Sequence, residues 1–318
     1  MKRMGRREFL GHATAGAVAA AMMPRAHTQE TAAIEEPQFR FGLLTDIQYW
    51  DGDPAGSRFY RNSPDKLKAC VEDLNGMDLA HVLQLGDFID RHFVSFKRVL
   101  PLYEGLKAPQ YHVLGNHDFS VAGDKRDKVA ATLGMPARYY DFAHGGWRFV
   151  VLDGNDLSLH GRKKGSAEYE QAQAMYAKLR EAGAENAQTW NGGVGEKQLA
   201  WLRSTLKDAS AAGERVLVFC HFPLYPQNVH NLWNAEVLMD VLESAPCVAA
   251  YINGHNHAGN YGARNGVHYL TLKGMVETPD STAYATVEVY KDRLELLGKG
   301  REPSRSLTLR HQAGAKSA

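Results

Sequence analysis

Apolar residues along this chain fall into short, nearly continuous runs, and several of these runs end in a knot of polar residues. Residues 39–45 form one run and end at Asp46; residues 81–85 end at Gly86-Asp87, and residues 110–114 end at Gly115-Asn116. Further on, residues 215–220 lead into His221, and residues 248–253 lead into Gly254-His255-Asn256-His257. Apolar runs of this length without strict alternation are what strands buried on both faces require. Between the first three runs the period changes. Residues 64–75 place Leu67, Val71 and Leu74 at helical spacing, with Pro64 near the start, and residues 93–106 are also helical. The order is β-α-β-α-β, an α/β arrangement, and the polar knots sit just past the carboxyl ends of strands, where open α/β sheets place their sites.

The rest of the chain continues in the same alternation. Residues 138–142 and 147–153 predict a hairpin across His144-Gly145-Gly146. Residues 166–182 predict a polar helix, residues 196–211 an amphipathic one with Leu199, Leu202 and Leu206 on one side, and residues 235–243 a third. Residues 267–272, 283–290 and 293–297 predict late strands, with a turn at Lys291-Asp292. Residues 154–194, rich in Gly, Asn, Gln and Lys, read as an insertion over one face of a core spanning 39–302. The tail, 303–318, reads as loose.

The polar knots carry the candidate chemistry. Asp46, Gln48, Asp87, Asn116, His221, His255 and His257 supply the carboxylate, carboxamide and imidazole groups for two divalent ions, with Asp87 the natural bridge. Such a pair of ions names a reaction class, displacement at phosphorus, with a bridging hydroxide as nucleophile. His117, next to Asn116, is the candidate for stabilising the transition state or protonating the leaving oxygen, and Asp118 the candidate for fixing its tautomer. Asp90 and Arg91, shortly after Asp87, are candidates for orienting the ligands. A lone Gly-Asp-x-x-Asp is more often a turn, and a lone His-x-His more often a loop. The conjunction of these motifs in order, each after a strand, is what is specific.

Bulk properties narrow the partners. A net charge of +1 gives no reason to expect a nucleic-acid or anionic-membrane partner, so any attraction for anions should be local. Three cysteines do not make a disulfide framework. Cys220 and Cys247 fall at opposite ends of successive strands, too far apart to bridge if those strands are parallel. Lys2, Arg3, Arg6 and Arg7 precede residues 9–23, which lack any charged side chain. That run is shorter than the roughly 20 residues of a membrane span. Gly5-Arg6-Arg7-Glu8-Phe9-Leu10 resembles a twin-arginine export signal, which predicts a signal over 1–30, a linker over 31–38, recognition by the twin-arginine translocation machinery and a periplasmic or exported location without stable membrane insertion.

The ordered motifs resemble the calcineurin-like metallophosphoesterase superfamily, with Asp46-Ile47-Gln48 where most members have Asp-x-His. Residues 44–49, Tyr60-Arg61-Asn62-Ser63, residues 83–87, Trp190-Asn191-Gly192-Gly193 and residues 272–281 narrow the likeness to the manganese-dependent ADP-ribose/CDP-alcohol diphosphatases. The resemblance runs from about residue 39 to about 303. It implies a four-layer α/β/β/α sandwich with two facing mixed sheets. It implies that Asp46, Gln48, Asp87 and His257 hold one ion and Asp87, Asn116, His221 and His255 the other, and that His117 is catalytic. Arg58, and with it Arg61, would contact substrate phosphates. The implied ions are manganese, with Fe, Mg and Zn as alternatives; an amide oxygen at Gln48 is a harder ligand than imidazole and favours Mn or Mg over Zn. The implied reaction cleaves the diphosphate of ADP-ribose or a CDP-alcohol. Another phosphoesterase on the same core, such as a cyclic-nucleotide phosphodiesterase or a phosphomonoesterase, is the alternative, and a metal-binding protein without turnover is the reading from another class.

Overall fold

The computed structural model describes residues 35–310. Residues 1–30, expected as an export signal, residues 31–34 of the expected linker 31–38, and residues 311–318 lie outside the described residues. Two six-stranded mixed sheets form the body of the molecule. The first three strands, β1 (Phe39–Leu44), β2 (Val82–Gln84) and β3 (Gln110–His112), pair in parallel and are joined by α1 (Ser63–Leu74) and α2 (Phe96–Tyr103). A short helix α3 (Val129–Thr132) leads to the hairpin of β4 (Tyr140–His144) and β5 (Trp147–Val151), which opens the second sheet. Helices α4 (Ala167–Glu181) and α5 (Glu196–Ala211) precede β6 (Arg215–Phe219), and α6 (Ala235–Glu243) precedes β7 (Val248–Asn253). The hairpin β8 (Asn260–Arg264) and β9 (Val267–Thr271) completes that sheet in the order β4-β5-β6-β7-β9-β8. The chain then returns to the first sheet with β10 (Ala283–Val289), β11 (Arg293–Gly300) and β12 (Arg305–Thr308), giving β12-β11-β10-β1-β2-β3.

Successive residues of each inner strand serve different layers, which is why the apolar runs are unbroken. Leu43 joins the core between the sheets, with Leu83, Phe149, Leu217 and Ile252; Leu44 points to the outer side, with Leu67 and Val71 of α1 and Val99 of α2. Val151 faces the inter-sheet core, while Val150 packs with Leu202 and Leu206 of α5 and Leu238 and Leu242 of α6. Each such side chain contributes about 1.5–3 kcal/mol on burial, so helix, sheet, sheet and helix are held by three continuous apolar interfaces. This is the four-layer sandwich. No helix among the described residues is long and apolar enough to cross a membrane.

Several details differ from the sequence expectation. The helix at 93–106 begins as a 3-10 turn, Phe93–Ser95, and its α-helical part carries Pro101, whose missing N–H weakens it. Strand β8 carries Gly262 and little apolar character, yet it pairs fully with β9 across Asn265-Gly266, both at positive φ (48° and 76°). Asn-Gly is the residue pair that a two-residue hairpin turn demands. The domain does not stop at 302: β12 pairs with β11, and Leu307 and Leu309 are buried in the inter-sheet core. The expectation of a loose tail from 303 is corrected on this point. Cys70, Cys220 and Cys247 are all buried free thiols. Because β6 and β7 are parallel, Cys220 and Cys247 lie at opposite strand ends.

Candidate metal centre

Where the strands of both sheets end, the backbone turns sharply. Asp46, Gln48, Asp87 and His255 all sit at positive φ, at 53°, 43°, 54° and 68°. A non-glycine residue there costs energy, on the order of 1–3 kcal/mol, and persists only when its surroundings hold it. The holding bonds are visible: Asp46 N–H donates to Gly86 O (3.1 Å), Gln48 N–H to Asp87 O (2.9 Å) and Gly254 N–H to His221 O (3.0 Å). Two glycines let the loops close in. A Cβ on Gly115 would fall 2.1 Å from Asp87 Oδ1, and one on Gly254 would fall 2.0 Å from Thr45 Oγ1 and 2.6 Å from Asp46 Oδ2.

Of the side chains these turns converge, Gln48, Asp87, Asn116, His255 and His257 line a cavity of about 390 Å³. The buried groups Asp87, His221 and His255 form one set of potential metal ligands, and Asp46, Asp87 and His257 form another, each with ligand atoms within 4.8 Å of one another. Asp87 is common to both. His221 Nε2 lies 3.2 Å from Asp87 Oδ2, and His257 Nε2 lies 3.1 Å from Asp46 Oδ1. The amide of Gln48 points its Nε2 at Asp87 Oδ2 (3.0 Å). Gln48 Oε1 and Asn116 Oδ1 are buried with no hydrogen-bond partner. Unpaired buried polar atoms are costly and rare. Two of them, on residues lining the same cavity as Asp87, His255 and His257, complete a donor set that divalent cations fit.

Each imidazole is fixed by its other nitrogen. His221 Nδ1–H donates to Leu85 O (2.8 Å), His257 Nδ1 meets Glu277 Oε1 (2.6 Å), and His255 Nε2 meets Asn191 Oδ1 (2.9 Å). These contacts leave one nitrogen of each ring for a ligand, the usual arrangement around a metal. In the metal-free protein, protons take the place of cations. Burial opposes a charge on His221, but Asp87 outweighs it and the group is pushed up to about 9. His257 reaches about 9 in the same way, through Asp46 and then Glu277. Asp87 is held well below the usual carboxylate range: burial works against it, and His221 and His117 overcome that. His255 is held well below an ordinary imidazole by burial and then by His221.

The remaining candidates divide. His117 and Arg58 line the cavity. His117 Nδ1 meets Asp90 Oδ1 at 2.9 Å, and its backbone N–H donates to Asp87 Oδ1 at 2.7 Å. Asp90 therefore sets the His117 tautomer, not Asp118. Asp118 is buried behind the turn and accepts N–H bonds from Asp87 (3.1 Å), Phe88 (2.8 Å), Ile89 (3.2 Å) and Gly115 (2.9 Å). It clamps the Asp87 turn to the Asn116 turn, a task that its place beside His117 in sequence does not reveal. Arg91 turns away, at φ 64°, and stacks 4.6 Å over the Trp50 ring. Arg61 is exposed and tied to Asp51 (2.7 Å) and Asp53 (2.6 Å), so it does not reach the cavity. Sequence reasoning assigned no role to Glu277, Asn191, His230 or Trp190; the last two line the cavity beside Arg58 and His117. Trp190 keeps 43% of its surface exposed there.

A fold of two facing sheets with such a cluster at the strand ends defines a class, and comparison with known sequences identifies it. The chain belongs to the calcineurin-like phosphoesterase family, whose family model matches residues 39–259. It is 33% identical, over 88% of its length and 97% of the relative's, to a manganese-dependent ADP-ribose/CDP-alcohol diphosphatase of Xenopus tropicalis. It is 32% identical, over 87% of its length and 94% of the relative's, to the human protein of that name. Among solved structures it is similar to a dimetal phosphatase from Danio rerio, with a TM-score of 0.79 and 29% identity, covering 86% of this chain and all of that one. The protein is a metal-dependent hydrolase of phosphate ester or anhydride bonds.

Proposed function

We propose that this protein hydrolyses the diphosphate bond of nucleoside diphosphate-linked compounds, ADP-ribose and CDP-alcohols, to a nucleoside monophosphate and a phosphorylated sugar or alcohol. One observation carries the reading: two ligand clusters sharing Asp87, on a chain about a third identical over most of its length to diphosphatases of that name. In this reading Asp46, Gln48, Asp87 and His257 hold one divalent ion and Asp87, Asn116, His221 and His255 the other. Manganese is the proposed metal, supported by the relatives' names and by the hard amide oxygens of Gln48 and Asn116. When bound, such ions lower the pKa of a water molecule and draw charge from phosphoryl oxygens.

The chain's own residues do the rest. His117, with Nδ1 engaged by Asp90, presents Nε2 to the cavity and can donate a proton or hydrogen bond to an oxygen that gains charge. Its proton is retained more strongly than in an ordinary imidazole: burial opposes this, but Asp87 and Asp90 prevail. Arg58 on the rim supplies positive charge for a phosphate. Trp190 supplies a flat apolar wall of the kind a base stacks on. We also propose that the chain is exported by the twin-arginine route, on the strength of Arg6-Arg7 and the uncharged run that follows.

Two variants test the site. His117→Ala should lower turnover by about 10²–10⁴-fold with bound metal retained. Asp87→Asn should lose metal and activity together, and full activity in that variant would remove the shared-carboxylate assignment.

A further inference from the structure

Continuous with the metal cavity lies a second chamber of about 330 Å³; Arg58, His230, His255 and His257 line both. Arg301, at the turn between β11 and β12, also lines it, as do Ser57 and Asn256. Arg301 is unusual in its surroundings. One terminal nitrogen donates to Gly274 O, while its Nε is buried without a hydrogen-bond partner. Its neighbours Glu277 and Glu302 do not form ion pairs with it among the described residues. Glu277 is committed to His257 Nδ1 (2.6 Å) and Ser57, and Glu302 accepts from Lys273 N–H (2.7 Å). Arg58 likewise has no side-chain hydrogen bond or ion pair among the described residues, although its charge is felt at both His117 and His257. Two incompletely used guanidinium groups thus line one polar chamber, and Glu277, the carboxylate among its described lining residues, is already bound.

We propose that Arg301, together with Arg58, makes this chamber the seat of the phosphate that departs, the half of the diphosphate not held at the metal cluster. The inference rests on the diphosphatase reading and deepens it. Hydrolysis joins the water oxygen to one phosphorus, and the bridging oxygen leaves with its electron pair on the other, as a phosphomonoester. Charge therefore grows on the departing phosphate, where guanidinium groups are matched to it in geometry and sign. A phosphomonoester of a neutral alcohol has no second phosphate to place there. Arg301 thus determines specificity for diphosphates over simple esters.

The test compares wild type with Arg301→Gln and Arg301→Lys, using CDP-choline with manganese, and measures bound metal in each. Arg301→Gln should lower kcat/KM by about tenfold or more with metal content unchanged, and Arg301→Lys should recover part of the loss. Unchanged kcat/KM would overturn the proposal. So would a loss matched by loss of metal, because Arg301 would then act only by bracing the Gly274 loop. A second readout needs no turnover: calorimetric titration of the metal-free protein with inorganic phosphate should show weaker binding for Arg301→Gln, and equal binding would count against the chamber. If wild type with manganese cleaves no nucleoside diphosphate compound, the functional reading fails, and the titration still decides whether the chamber binds phosphate.

Discussion

At the scale of single residues, the centre is organised by what each imidazole does with the nitrogen that faces away from the cluster. Glu277 holds His257, Asn191 holds His255 and the Leu85 carbonyl holds His221. Replacing Glu277 by Gln should weaken metal binding by about 10–100-fold without unfolding the protein, which a manganese titration would show; unchanged affinity would remove Glu277 from the site. The raised pKa of His221 and His257, about 9 each, sets a pH dependence. A cation must displace those protons, so affinity should rise with pH from about 6 to about 9, by about tenfold per unit for each ion. The metal-free fold responds in the opposite sense. Both folded values lie above the unfolded imidazole value, so their contribution to stability is complete below about 6.5 and is lost as pH rises through about 9. Thermal melts of metal-free protein across that window should show falling Tm, and flat melts would contradict the assignment. The ligands were legible in sequence because each follows an apolar run. Their orienters were not: Glu277 and Asn191 lie 20 and 64 residues from the rings they hold, on loops with no periodic signal.

At the scale of elements, two contacts explain why the site loops stay put. Lys66 of α1 is almost fully buried and donates to Met275 O (2.8 Å), Glu277 O (3.1 Å) and Thr278 O (2.8 Å). Burial pulls its pKa down to about 8. Lys66→Met should strand those acceptors and cost about 1–3 kcal/mol of stability, read as a lower Tm together with weaker metal binding through the Glu277 loop. Strand β12 closes the edge of the first sheet, with Leu307 only 2% exposed. Leu307→Ala should therefore cost about 2–5 kcal/mol, whereas a substitution in a loose tail would cost nothing measurable in denaturant melts. The inner strands were readable because burial on both faces leaves an unbroken apolar run. Strands β8 and β12 were not, because edge strands carry polar residues and Pro303 masks the start of β12; the Asn265-Gly266 turn was the usable signal for β8.

At the scale of the whole molecule, the two sheets bring strand ends from distant parts of the chain to one rim. Asp46 and His257, 211 residues apart, meet only because β1 and β7 lie in facing sheets. The order of motifs made the family legible; the facing of the sheets followed from that likeness and not from any local pattern. The proposed export is tested on the whole chain. Arg6→Lys with Arg7→Lys should retain the protein inside bacterial cells, checked by fractionation, and unchanged export would contradict the signal. The central claim is that the site acts on a diphosphate. Its most direct test is product analysis of purified protein with manganese, comparing ADP-ribose, CDP-choline, 2′,3′-cyclic AMP and p-nitrophenyl phosphate at equal concentration. The account predicts AMP and CMP from the first two, well above turnover of the others. Turnover of only the cyclic or aryl ester, or none at all with metal bound, would contradict it.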